Sequence, residues 1–123
     1  MAKIASFKDL IVYKKAYNLA MEIFETSKQF PIEERYSLTD QIRRSSRSVT
    51  SCIAESWARR RYVKSFVSKM IEALGEENET EVWLDYAMSC KYLQKETHDS
   101  VMTSYVEVRK MLISMINNPE KWC

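Results

Sequence analysis

An antiparallel, up-down-up-down bundle of four helices is the all-α fold class this sequence predicts, and three observations carry it. The chain of 123 residues contains one Gly and two Pro, far below the roughly 7% and 5% of average chains, so little interrupts long helices. Four stretches repeat apolar or small residues at alternating spacings of three and four, the pattern of a helix with one buried face. Their connections are short, which makes successive helices antiparallel neighbours packed at about 20°. A single domain over residues 1–123 is expected, because one core most often serves about 100 to 150 residues.

The first helix is predicted over residues 9–29, with the stripe Leu10, Tyr13, Tyr17, Ala20, Phe24 and Ser27. Phe30-Pro31 closes it, since a proline disfavours helical geometry in the residue before it; residues 32–36 then connect. Ser37-Leu38-Thr39-Asp40 offers a serine cap with a carboxylate three residues on, a combination that accepts the free amides of a new helix. The second helix, residues 38–60, carries the stripe Leu38, Ile42, Ser45, Val49, Cys52 and Ser56, flanked by Ile53 and Trp57. Small residues in that stripe let a neighbour approach closely.

The third helix is predicted over residues 63–92 with the stripe Val63, Val67, Met70, Leu74, Glu77, Glu81, Leu84 and Met88. Its centre, at Glu77, Thr80 and Glu81, is polar on a face that should be buried. About 30 residues at 1.5 Å each give about 45 Å, hence an elongated bundle. Residues 94–97 are expected to form the last turn. The fourth helix, residues 96–117, then repeats Val101, Tyr105, Val108, Leu112 and Met115 before Asn117-Asn118-Pro119 stops it.

Composition narrows the function classes. An apolar fraction of 46% with 11% aromatics is ordinary for a globular domain. The three cysteines, Cys52, Cys90 and Cys123, have no close spacing, which favours neither a disulfide framework nor a zinc knuckle and suits a reducing cytoplasm. The N-terminus has no apolar signal core and no run of 18 apolar residues occurs, so neither secretion nor a membrane span is expected. His98, the single histidine, lies beside the predicted last turn, where an exposed position is expected. No Glu-x-x-His pair accompanies it, which excludes the di-iron chemistry of some bundles. Cys52 lies on an apolar stripe and reads as a small core residue. The carboxylates between residues 72 and 85 are strung along one helix, an arrangement that rarely converges on a divalent cation. No catalytic residue, metal or cofactor is expected, and the chain is not expected to be an enzyme.

The formal net charge of +2 conceals two opposed segments. Between residues 41 and 69, Arg43, Arg44, Arg47, Arg59, Arg60, Arg61, Lys64 and Lys69 face Glu55 alone. Between residues 72 and 85, Glu72, Glu76, Glu77, Glu79, Glu81 and Asp85 have no cation among them. If the chain turns near Arg61, Arg44 comes level with Asn78, next to Glu79. Arg43, Arg44 and Arg47 are then candidates for structural ion pairs with Glu76, Glu79 and Glu81. Arg59-Arg60-Arg61-Tyr62 and Lys64 sit at the bundle tip, beyond the middle of the acidic segment. Guanidinium groups grip phosphate bidentately, and Tyr62 or Trp57 offers a ring for base stacking. Together with Arg47 these are the candidate nucleic-acid contacts; the plainer reading is a solvated helix end whose cations favour the C-terminal dipole.

In order and combination, several elements resemble the small four-helix-bundle proteins encoded by intervening sequences inside bacterial 23S ribosomal RNA genes. They are Phe7-Lys8-Asp9-Leu10 with Val12 and Lys15-Ala16, then Phe30-Pro31, Glu33-Glu34-Arg35-Tyr36 and Leu38-Thr39. Gln41-Ile42-Arg43-Arg44, Ser48-Val49, Ile53-Ala54-Glu55, Ala73-Leu74-Gly75, Asn78-Glu79, Glu81, Leu84 and Tyr92-Leu93 follow. The family pattern after the double arginine is Ala-Ala-x-Ser-Ile-Pro-x-Asn-Ile-Ala-Glu-Gly; here Ser45-Ser46, Thr50, Cys52 and Ser56 replace the alanines, proline, asparagine and glycine. Glu77 and Thr80 stand where the family tends to place leucines. The resemblance implies a bundle that assembles as a ring, a pentamer being the associated form. The chain is also similar to accessory proteins of diversity-generating retroelements, which implies nucleic acid and a reverse transcriptase as partners. Family members commonly carry the label of ribosomal proteins.

The expected function is therefore a non-enzymatic homo-oligomer that binds RNA or DNA through the second helix and the following turn. The alternative is a protein-interaction scaffold that holds a protein partner through exposed Trp83, Tyr86 or Trp122, with no nucleic-acid contact.

Overall fold

Local chemistry sets where each helix begins and ends. In the computed structural model, which describes residues 3–123, the helices are α1 (Ile11–Ser27), α2 (Leu38–Ala58), α3 (Val63–Ser89) and α4 (Lys95–Asn117). Single 3-10 turns occupy Phe7–Asp9, Ile32–Glu34 and Pro119–Lys121, and no strand occurs among the described residues. The first turn is closed by a reciprocal cap: Ser6 Oγ accepts from Lys8 N at 3.1 Å, and Asp9 Oδ2 accepts from Ser6 N at 3.1 Å.

The expected serine cap of α2 is corrected. Ser37 makes no side-chain cap; its hydroxyl donates to Glu34 Oε1 at 2.6 Å, and that oxygen takes Leu38 N at 3.4 Å instead. Glu34 Oε2 also accepts from Tyr92 at 2.9 Å, so one carboxylate joins the α1–α2 and α3–α4 connections at the same end of the bundle. The hydrogen bonds from Ser37 and then Tyr92 hold its carboxyl below the ordinary carboxylate range.

The last turn lies earlier than the spacing predicts. It spans residues 90–94, because Lys91 takes a left-handed conformation at φ 66° and Tyr92 N bonds back to Ala87 O at 2.8 Å, which ends α3. α3 is thus 27 residues, about 40 Å long.

Helices adjacent in sequence pack as neighbours. α2 packs most extensively on α3, and α1 on α4 is the lightest of the four neighbouring pairs. On α2, Leu38, Ile42, Ser45, Val49, Cys52, Ile53, Ser56 and Trp57 are buried, as their spacing predicts. On α4, Val101, Tyr105, Val108, Leu112 and Met115 are buried in the same way. The other two seams are rotated from the expected ones. α1 buries Val12, Ala16, Leu19, Ala20, Ile23 and Ser27, leaving Tyr17 exposed. α3 buries Phe66, Met70, Ala73, Glu77, Thr80, Leu84 and Ala87, leaving Val63 exposed. The alanines at these seams let the backbones approach, while Tyr17 at the edge stays half exposed.

The polar centre of α3 is buried. Thr80 Oγ1 donates to Ser45 Oγ at 2.8 Å across the α2–α3 seam. Glu77 is 0% exposed, and neither of its oxygens has a hydrogen-bond partner of good geometry. Burial first, and then the neighbouring Glu81 carboxylate, push its pKa from 4.5 up to about 9, with Arg109 opposing. Glu77 is therefore a neutral acid at pH 7. Arg109 Nε lies 3.0 Å from Glu81 Oε2, an ionic contact off the hydrogen-bonding direction. Tyr105, fully buried, has its phenol pushed upward by desolvation and then by Glu77.

Candidate nucleic-acid interface

α2 stops at Ala58, and Arg59 caps it by donating its backbone amide to Ser56 O at 3.0 Å. The turn closes when Tyr62 N reaches Arg59 O at 3.0 Å, and α3 starts at once. This brevity forces three consecutive arginines onto one tight corner. Arg59, Arg61, Tyr62 and Lys64 are exposed there. Arg47 is exposed farther back along α2. Among the described residues, none of Arg47, Arg59, Arg60, Arg61 and Lys64 forms an ion pair within 4.0 Å. Lys69, by contrast, is held by Glu55 at 2.7 Å and Glu72 at 3.4 Å.

Arg60 differs from its neighbours. Its guanidinium lies 3.6 Å from the ring centroid of Trp57, and its Nε donates to Trp57 O at 2.8 Å. Trp57 packs edge-on against Trp122, centroids 6.3 Å apart. Trp57 is buried under this stack and presents no free face for a base, a correction to its expected role. Tyr62, 66% exposed, keeps its ring open, with Arg61 5.9 Å from the centroid.

The expected ion pairs between α2 and the acidic stretch of α3 do not form. Arg44 comes within 4.0 Å only of Asp40 on its own helix, and acts on Glu76 of α3 from beyond ion-pair distance. Arg43 Nε donates to Ser27 Oγ on α1 at 2.8 Å. Glu79 accepts from Trp83 Nε1 at 3.2 Å, and Glu81 is turned to Arg109 on α4. The reason is azimuth: the α2–α3 seam is made by Ser45 with Thr80 and Ser56 with Met70, so Arg43, Arg44 and Arg47 lie on its flanks. Arg43 and Arg47 instead lean over Phe24 of α1, at 4.9 and 5.4 Å from its centroid, and Lys28 meets the same ring at 4.8 Å. Three cations around one ring concentrate positive potential on the α1–α2 face, an arrangement the linear charge count missed.

His98 also departs from expectation. It is buried at 7% exposure in the first turns of α4, with Nε2 2.8 Å from Asp85 Oδ1 and Nδ1 2.9 Å from Asp99 Oδ1. Desolvation is the largest influence and lowers its pKa, but the hydrogen bonds to Asp99 and Asp85 and their charges outweigh it, so the net shift is upward. Cys52 is buried and its thiol is pushed up by desolvation; Cys90 and Cys123 are exposed thiols. Of the apolar residues expected at the surface, Tyr86 is 56% exposed, whereas Trp83 and Trp122 are half-buried against the core. A cleft of about 630 Å³ between the N-terminal segment and the end of α4 is lined mainly by apolar groups, including Leu10, Val12, Met111, Met115 and Trp122. No helix among the described residues is long and apolar enough to cross a membrane.

These features define a class: a small antiparallel helical bundle with an unpaired basic corner between its second and third helices. The chain belongs to the 23S rRNA-intervening sequence protein family, whose profile matches residues 8–114. Among solved structures it is similar to a protein with unknown function from the S23 ribosomal protein family of Bacteroides thetaiotaomicron VPI-5482. The two share 30% identity and a TM-score of 0.77, over 87% of this chain and 96% of that one. Comparison with curated proteins finds no match.

Proposed function

We propose that this protein is a non-catalytic, cytoplasmic homo-oligomer that binds RNA or DNA by the phosphate backbone. Arg59, Arg61 and Lys64 make the contacts at the α2–α3 corner, Tyr62 stacks on a base, and Arg47 extends the contact along α2. The observation that carries this reading is the set of exposed cations there with no internal carboxylate partner. A charge already paired inside the protein releases no counterions from a phosphate chain, whereas an unpaired one does. Arg60 supports the corner by holding Trp57. Anisotropy titration of a labelled RNA hairpin at low salt tests the proposal: binding that disappears in the combined Arg59→Ala, Arg61→Ala, Lys64→Ala variant supports it, and absence of binding by the intact protein overturns it.

A second reading, protein association, is favoured by α3. Its outer face exposes Val63 (47%), Ile71 (52%), Val82 (47%) and Tyr86 (56%) at helical spacings, with Val67 and Leu74 half-buried beside them. Such a row suits a second copy of the chain, in keeping with the pentameric ring the resemblance implies, or a different protein partner. Repetition of the basic corner around a ring would sum its field.

A further inference from the structure

At the opposite end of α2 from the arginine corner, α1 ends and α2 begins around a cleft of about 310 Å³. Lys28, Arg35 and Arg43 line it together with the hydroxyl residues Ser27 and Thr39, and no carboxylate does. Ser27, 2% exposed, receives Arg43 Nε at 2.8 Å while donating to Phe24 O at 3.1 Å. That bond fixes the guanidinium plane and leaves its two terminal amino groups for a bidentate partner. Arg35 forms no ion pair among the described residues, and Lys28 meets only Glu25, at 3.2 Å with both side chains more than half exposed. Glu34, the nearby carboxylate on the connecting turn, is occupied by Ser37 and Tyr92. Glu33 is exposed outside the lining. The first turn of α2 adds its positive dipole, partly offset by Asp40, which stands in that turn outside the lining at 4.0 Å from Arg44.

We infer that this cleft is a phosphate site, holding a phosphoryl group between Lys28, Arg35 and Arg43 with the Thr39 hydroxyl. The inference rests on the nucleic-acid reading for the source of the phosphate but not for the site itself. From Arg43 to Arg59 is about 24 Å at 1.5 Å per residue. A strand gripped at both ends of α2 therefore passes about seven or eight phosphates, at 3.4 Å per nucleotide. Between Asp40 and Glu55, α2 carries no acid to repel it. The cleft thus sets a minimum ligand length, which a single basic corner does not.

Amide and arginine Nε–Hε NMR resonances of the full chain, followed at constant ionic strength, test the site with two probes. Inorganic phosphate is expected to move the signals of Lys28, Thr39 and Arg43 in the wild type and not in Arg43→Gln. An RNA duplex of about 12 base pairs is expected to move both this corner and the Arg59–Arg61 corner. Its affinity should fall about tenfold in Arg43→Gln, with a salt slope reduced by about one, while a duplex of about 5 base pairs, too short to span both, is unaffected. Arg35→Gln, which leaves the Ser27 bond intact, should weaken the long duplex in the same direction, separating a lost contact from lost folding. Movement with inorganic phosphate but no RNA binding supports a free-phosphate site and defeats the nucleic-acid reading. RNA binding at the Arg59–Arg61 corner with Lys28, Thr39 and Arg43 silent to both probes overturns the inference and leaves that reading standing.

Discussion

Arg60 stacks on Trp57 at 3.6 Å and donates to its carbonyl at 2.8 Å. Three adjacent arginines are thereby divided: Arg60 covers the end of the core, while Arg59 and Arg61 face water.

Arg60→Ala should cost about 1 to 2 kcal/mol, from the lost cation–π contact and the uncovered tryptophan. Arg59→Ala and Arg61→Ala, which lose no ion pair or hydrogen bond inside the protein, should stay within about 0.5 kcal/mol of wild type. Urea unfolding of the three variants measures the difference; equal midpoints for all three would show that the stack adds no stability.

Glu77 makes the bundle sensitive to alkali. Its folded pKa is raised from 4.5 to about 9, so across that window the folded state keeps a proton that the unfolded state releases, and stability falls as pH rises. The groups facing it are Glu81 on its own helix and Arg109 and Tyr105 on α4. Glu77→Leu should stabilise by about 1 to 3 kcal/mol at pH 8 and flatten the pH profile, and Glu77→Gln should flatten it with the shape retained. A wild-type melting temperature unchanged between pH 5 and 9 would refute the assignment.

His98 acts in the same sense at lower pH. Its pKa is raised in the fold by Asp99 and Asp85, so its contribution is complete below about 6.5 and is lost as pH rises through the higher folded value. Removing it by His98→Ala should cost about 1 to 2 kcal/mol at pH 6 and less at pH 9. The imidazole proton resonances, titrated by NMR, should give a midpoint above that of a free histidine; a lower midpoint contradicts the paired geometry.

The exposed row on α3 is tested by charge. Ile71→Lys with Val82→Lys should lower the mass seen by light scattering without changing helix content or stability by more than about 0.5 kcal/mol, because neither side chain is in the core. Unchanged mass would remove that face from any assembly.

The helices and their order were legible because α2 and α4 keep a strict apolar stripe, and the structure buries each member of it. α1 and α3 were misread in azimuth, since Tyr13, Tyr17, Val63 and Val67 are apolar enough to mimic a seam while Ala16 and Ala73 carry the close packing. Composition by segment located the basic corner but not its partners. Opposed charges along two helices pair only when they share a facing edge; the Ser45–Thr80 contact turns that edge away from Arg43 and Arg47 and leaves Arg44 near Glu76 without an ion pair. His98 was expected at the surface because it follows the predicted turn; a left-handed Lys91, with no glycine to announce it, moves that turn to residues 90–94 and leaves His98 in the buried first turn of α4. The cleft at Arg43 depends on Ser27 and Lys28, distant in sequence, and no local pattern signals it.

The salt dependence of RNA binding tests the central claim most directly. Affinity of the intact protein for a structured RNA, measured from about 50 to 200 mM salt, should fall steeply and linearly on logarithmic axes. Arg59→Ala with Arg61→Ala should reduce that slope by about two as well as weakening binding at every salt concentration. A slope that is the same in the wild type and the double variant would contradict the account, because it would mean that the unpaired arginines of the α2–α3 corner touch no phosphate.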